Sequence, residues 1–219
     1  MKRLGLVLIA IALVADRVDA QDTRLGRLDR RVQAEVAALV DTARSLGIPT
    51  EPVVDKALEG AAKRAPNDRI INVVRSRFRE LVAARGALGS GALDAEIIAA
   101  ADALHAGASP QVITALRTRR PGAPLTIPLA VLADLIARGV PADTASSAVL
   151  ALADPASTDA QFAALRDDIE RDIAKGAPPA IAAHVRTRGV PPGSRIPIAS
   201  DAAAPTGGGL ENASTRPKP

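Results

Sequence analysis

The chain has 219 residues, 47% of them hydrophobic but only 1% aromatic, with 28 basic against 24 acidic side chains and no cysteine. Such a length supports one domain with a real core, and the missing cysteine excludes disulfides, thiolate metal sites, cysteine nucleophiles and an N-terminal lipid anchor on cysteine. A net charge of +4 is too small to argue for nucleic acid, and a core built from Ala, Leu, Val and Ile favours helix over strand.

Lys2 and Arg3 precede an apolar run from Leu4 to Ala15, and Val18-Asp19-Ala20 is a small-x-small site before Gln21. This is the layout of a secretory signal peptide over 1–20, and the run is shorter than the roughly 20 residues a bilayer span needs. The expectation is an exported mature chain, periplasmic or secreted.

A long helix is predicted from Asp22 to Leu46, because Leu25, Leu28, Val32, Val36, Leu39, Ala43 and Leu46 recur at steps of three and four. Its start carries Arg24, Arg27, Arg30 and Arg31, and three of these (Arg24, Arg27, Arg31) are predicted to share one face. That segment is the candidate contact for an anionic lipid, lipopolysaccharide phosphates or an acidic protein partner. Asp22 and Asp29 dilute it, and no aromatic anchors it.

A second helix is predicted from Glu51 to about Arg64, and a third opening at Pro66 with Ile70, Val74, Phe78, Leu81 and Val82 on one face. Gly86 to Gly91 reads as a loop, with 86–92 a place to divide the helical domain 21–189. Further helices are predicted over Leu93–Ala106, Pro110–Arg119, Leu125–Arg138, Pro141–Ala153, from Thr158 with a Thr158/Gln161 capping box, and from Pro178 to about Arg188. The tail 190–219, rich in Pro, Gly, Ser and Ala, is predicted to be disordered. No stretch alternates as a strand does.

Five of the corners share one pattern: Leu46-Gly47-Ile48-Pro49, Ala106-Gly107-Ala108-Ser109-Pro110, Arg138-Gly139-Val140-Pro141, Lys175-Gly176-Ala177-Pro178 and Arg188-Gly189-Val190-Pro191. Gly suits the left-handed position past a helix, and Pro suits the next helix's first turn. The fold class is therefore all-α: an array of about nine short helices forming helical hairpins with Gly-x-Pro corners, either a compact bundle or an irregular repeat. The intervals between these glycines, 60, 32, 37 and 13 residues, hold no single period.

Chemistry is sparse. His105 and His184 are the only histidines, with neither an HExxH pair nor a thiol beside them, so structural roles are expected. Asp168 and Asp172 lie four apart on one helix face, where two carboxylates could hold a hard cation such as Ca²⁺. Arg166, Arg171 and Lys175 are interleaved with them and favour a salt-bridged face instead. Arg75, Arg77 and Arg79, and then Arg117, Arg119 and Arg120, form two further basic spots. There is no GxSxG elbow, P-loop or GxGxxG after a strand, and no cofactor or metal is implied. The alanine- and arginine-rich composition resembles that of exported bacterial proteins in general, without a motif that gives any residue a role.

The expected function is a non-enzymatic scaffold or protein-interaction module of the cell envelope. Its partner is another envelope protein, bound in a helical groove, rather than nucleic acid. Two other readings stand beside it: an envelope-polymer hydrolase or lyase using carboxylates such as Asp102, Asp134 or Glu170, and a peripheral anionic-lipid binder led by Arg24 to Arg31.

Overall fold

The computed structural model describes residues 24–187. The signal segment 1–20, the corner Arg188–Pro191 and the tail 190–219 lie outside the described residues. Within them the protein is all-helical, with nine α-helices and no strand. They are α1 (Arg30–Ser45), α2 (Glu51–Ala62), α3 (Asn67–Leu88), α4 (Asp94–Ala106), α5 (Pro110–Arg119), α6 (Thr126–Ala137), α7 (Ala142–Leu152), α8 (Asp159–Ala174) and α9 (Pro179–Thr187).

Two expectations are corrected at the front of the chain. The single helix Asp22–Leu46 is broken at Asp29, whose carboxylate accepts a hydrogen bond from the Arg31 N–H at 2.9 Å and caps α1. Among the described residues before it, Arg24 and Leu25 are helical and the chain then turns, with Leu28 N–H bonded to the Leu25 carbonyl. Leu25, Leu28, Val32, Val36 and Ala43 of the stripe are buried, but Leu46 at its end is 47% exposed and the helix beneath the stripe is not continuous. The predicted loop at Gly86 begins later as well, since α3 runs through Gly86 to Leu88. From Leu93 onward the predicted boundaries hold to within one or two residues.

The corners share a hydrogen-bond pattern. Gly47, Gly107, Gly139 and Gly176 have φ of 62°, 116°, 88° and 95°. At each, the N–H of the following residue (Ile48, Ala108, Val140, Ala177) returns to a carbonyl five residues back, the bond of a Schellman motif. Those four following residues are all buried, so each corner sets an apolar side chain into the core as it ends a helix. A fifth corner has the same bonds without a glycine: Ala65 N–H reaches the Gly60 carbonyl, and Arg64 carries the left-handed φ of 53°. Arg64 is the only non-glycine residue with positive φ among the described residues.

Every substantial helix contact joins elements one or two apart in sequence. The odd-numbered helices α1, α3, α5, α7 and α9 pack side by side in one row, and α4, α6 and α8 in a second. α2 lies on α1 and α3 but forms no comparable contact with α4. One continuous cluster of buried side chains runs through the stack, from Leu25 to Ala183. Alanines carry much of it: Ala57, Ala84, Ala100, Ala101 and Ala103 are fully buried, which lets helix backbones approach closely. Gly60 on α2 extends this, because a Cβ there would meet Ile70 Cγ1 at 2.9 Å.

Glu96 ties the middle of the molecule together. It is 3% exposed, yet its carboxylate accepts hydrogen bonds from Arg117 at 2.6 Å, Leu125 N–H at 2.9 Å and Leu93 N–H at 3.1 Å. Burial pushes its pKa up. The Arg117 guanidinium and the two backbone N–H groups outweigh burial and hold the carboxyl below its ordinary value. Arg120 is equally buried, with its guanidinium 4.9 Å above the Phe162 ring.

Candidate functional site: a groove over α3

Where α2 and α4 stand apart, α3 forms the floor of an open groove of about 550 Å³. α2 contributes Asp55, Lys56 and Glu59 to one wall, and α4 contributes Asp102 and His105 to the other. The floor holds Val73, Ser76, Arg77 and Glu80, and Val73 is 39% exposed although it sits mid-helix.

The charges in this groove are arranged in pairs. Arg77 Nη2 lies 2.7 Å from Asp102 Oδ1, and its Nη1 lies 3.6 Å from Glu80 Oε2. His105 Nδ1 is 2.9 Å from Glu80 Oε1, and Ser76 Oγ approaches the same oxygen at 3.5 Å. Ser76 and His105 thus meet at one carboxylate rather than facing each other. A serine nucleophile needs its hydroxyl against a free imidazole nitrogen, which this arrangement does not provide. On the α2 wall, Glu59 bridges Lys63 and Lys56, and hydrogen bonds from these two ammonium groups pull its pKa down to about 2.

The candidate arginines of the sequence do not form one face. Arg24 precedes the break at Asp29 and reaches across to α2, with Nη1 2.8 Å from Glu51 Oε2 and Nη2 bonded to Asp55. Arg31 pairs with Asp68 of α3 at 2.9 Å. Arg27 and Arg30 are exposed and make no ion pair among the described residues. The break at Asp29 separates Arg24 and Arg27 from Arg30 and Arg31, which belong to α1.

Most of the other basic spots are internal fasteners. Arg75 binds Glu35 of α1 at 2.7 Å and lowers that carboxyl's pKa through its hydrogen bond. Arg117 holds Glu96, and Arg119 donates to the Leu150 carbonyl at 2.6 Å. The acidic face of α8 is used between helices as well as along its own. Asp168 and Asp172 converge on one cation, the Arg186 guanidinium of α9, at 3.5 and 2.7 Å. Among the candidate catalytic carboxylates, Asp102 alone lines the groove. Asp134 and Glu170 share Arg166 at 3.6 Å each, and Glu170 also binds Arg138 at 2.7 Å. His184 lies exposed on α9, away from the groove.

The sequence reading did not single out Val73, Ser76, Glu80, Asp55 or Glu59. An exposed Val three residues after Ile70 is a weak signal, since Val73 falls off the apolar face that Ile70, Val74 and Leu81 define. Comparison of the chain with known family models, curated proteins and solved structures gave no significant match.

Proposed function

We propose that the protein is an exported, non-enzymatic helical module, a stack of hairpins turned at glycine–proline corners, that holds a segment of an envelope protein in the groove between α2 and α4. The observation that carries this reading is the gap in the second row: α4 packs on α6, yet stands off from α2 and leaves Val73 uncovered on the floor. Val73, exposed on a floor otherwise made of Ser76, Arg77 and Glu80, gives a bound segment one apolar contact beneath and hydrogen-bonding partners on both sides. The walls are also suited to recognition: Asp102 and Glu80 are held in place by Arg77 and His105, which fixes them as hydrogen-bond acceptors beside the floor.

The test is site-specific photo-crosslinking in the native cell. A crosslinker at Val73 is expected to capture one dominant envelope protein, while the same group at exposed Gln111 on α5 captures none, and the recovered chain begins near Gln21. Equal capture from both positions, or none from Val73, overturns the groove assignment. Recovery in the cytoplasmic fraction with an intact N-terminus overturns export.

A further inference from the structure

A second pocket, of about 460 Å³, lies where α2 ends and α3 begins, and it shares Lys56, Glu59 and Val73 with the groove. Its charged lining is Lys56, Lys63, Arg64 and Arg69, against the single carboxylate Glu59. That carboxylate is already committed to Lys56 and Lys63. Arg64 and Arg69 make no ion pair or side-chain hydrogen bond among the described residues. Asp68, the nearest acid along α3, is turned to Arg31.

The backbone adds an independent argument. At four corners the left-handed position is glycine; at this one it is Arg64, at φ 53°. A left-handed conformation costs a non-glycine residue free energy, and strain kept at one of several equivalent positions points to a use for the side chain. Here that side chain lines the pocket.

We propose that this pocket binds a phosphate group through Arg64 and Arg69, with Lys63 adding charge and Ile70, Pro66 and Val73 covering the organic part of the ester. Two guanidinium forks match the oxygens of a tetrahedral dianion bidentately, and three cations exceed what one carboxylate monoanion neutralises. The proposal stands apart from the groove reading and does not need it. The phosphate has two sources, a soluble phosphate ester or the headgroup of an anionic phospholipid.

Two binding arms tell these apart in the purified protein. One titrates inorganic phosphate and glycerol phosphate while following the backbone amides of residues 60–70 by NMR; the other co-sediments the protein with phosphatidylglycerol or phosphatidylcholine vesicles. The expected result is saturable binding that weakens with added salt and falls about tenfold in Arg64→Gly and in Arg69→Gln. Arg64→Gly keeps the corner and folds at least as well as the parent, so its loss of binding reads on the side chain alone. Binding of the soluble phosphates without vesicles identifies a free ester; binding to phosphatidylglycerol but not phosphatidylcholine, sensitive to Arg64→Gly, identifies a headgroup. No binding in either arm, binding unchanged in Arg64→Gly, or an equal loss in Arg27→Gln/Arg30→Gln overturns the proposal.

Discussion

The two flanks of α4 make opposite use of the same helix. On one side it closes against α6, and Glu96, sunk at its start, is fastened to Arg117 and to the Leu125 N–H at the N-cap of α6. On the other side it stands off from α2, and its outward residues Asp102 and His105 face a groove. Charge is present on both flanks. What differs is how far water is excluded: a buried carboxylate with three donors fixes the packing around it, whereas the partly exposed pairs of Asp102 and His105 tie the α4 wall to the α3 floor and leave α2 unattached to it.

The largest expected effect sharpens that contrast. Glu96→Ala leaves Arg117 partly buried without its partner and frees two backbone N–H groups, and is expected to cost about 3–5 kcal/mol in denaturant unfolding. The groove substitution Asp102→Asn is expected to cost less than about 1 kcal/mol in the same assay, and a loss as large as that of Glu96 would break the comparison. The pH dependence follows from the native pKa of Glu96, which lies below its ordinary 4.5. Its stabilisation is complete above that value and is lost as pH falls through the lowered native pKa. Glu96→Gln is therefore expected to flatten the acid limb of a melting-temperature profile. Between these extremes lies the corner at Gly107. Gly107→Ala places a Cβ at φ 116° with only ordinary contact to Ile136 at 4.0 Å, so its cost is conformational, about 1–2 kcal/mol. Arg64→Gly is expected to raise stability by about 0.5–1 kcal/mol, seen as a higher melting temperature.

The all-helical class and the later helix boundaries were legible because periodicity and punctuation agreed there: Gly139 lies just past one helix at φ 88° and Pro141 is the N-cap of the next. The break at Asp29 was not, since an Asp between two buried leucines and an arginine run reads equally as a solvated helix position or as a cap. The corner at Arg64 was hidden for a related reason. Its hydrogen bonds are those of the other four, but the residue that usually signals them is missing. The groove was least legible of all, because it is made by a distance between α2 and α4 that no single segment encodes. Arg117 and Arg75 show the converse: as sequence they look like free basic spots, and only their partners Glu96 and Glu35, 21 and 40 residues away, reveal them as fasteners.

The near-neighbour wiring of the helices has a mechanical consequence. Because each helix rests on those one or two places away, a load applied between the two ends crosses no single interface that clamps the first helix to the last. Tension would strip elements from either end in sequence, each at modest force, while the middle around Glu96 held longest. A chain built this way can yield in steps and re-form from whatever remains folded.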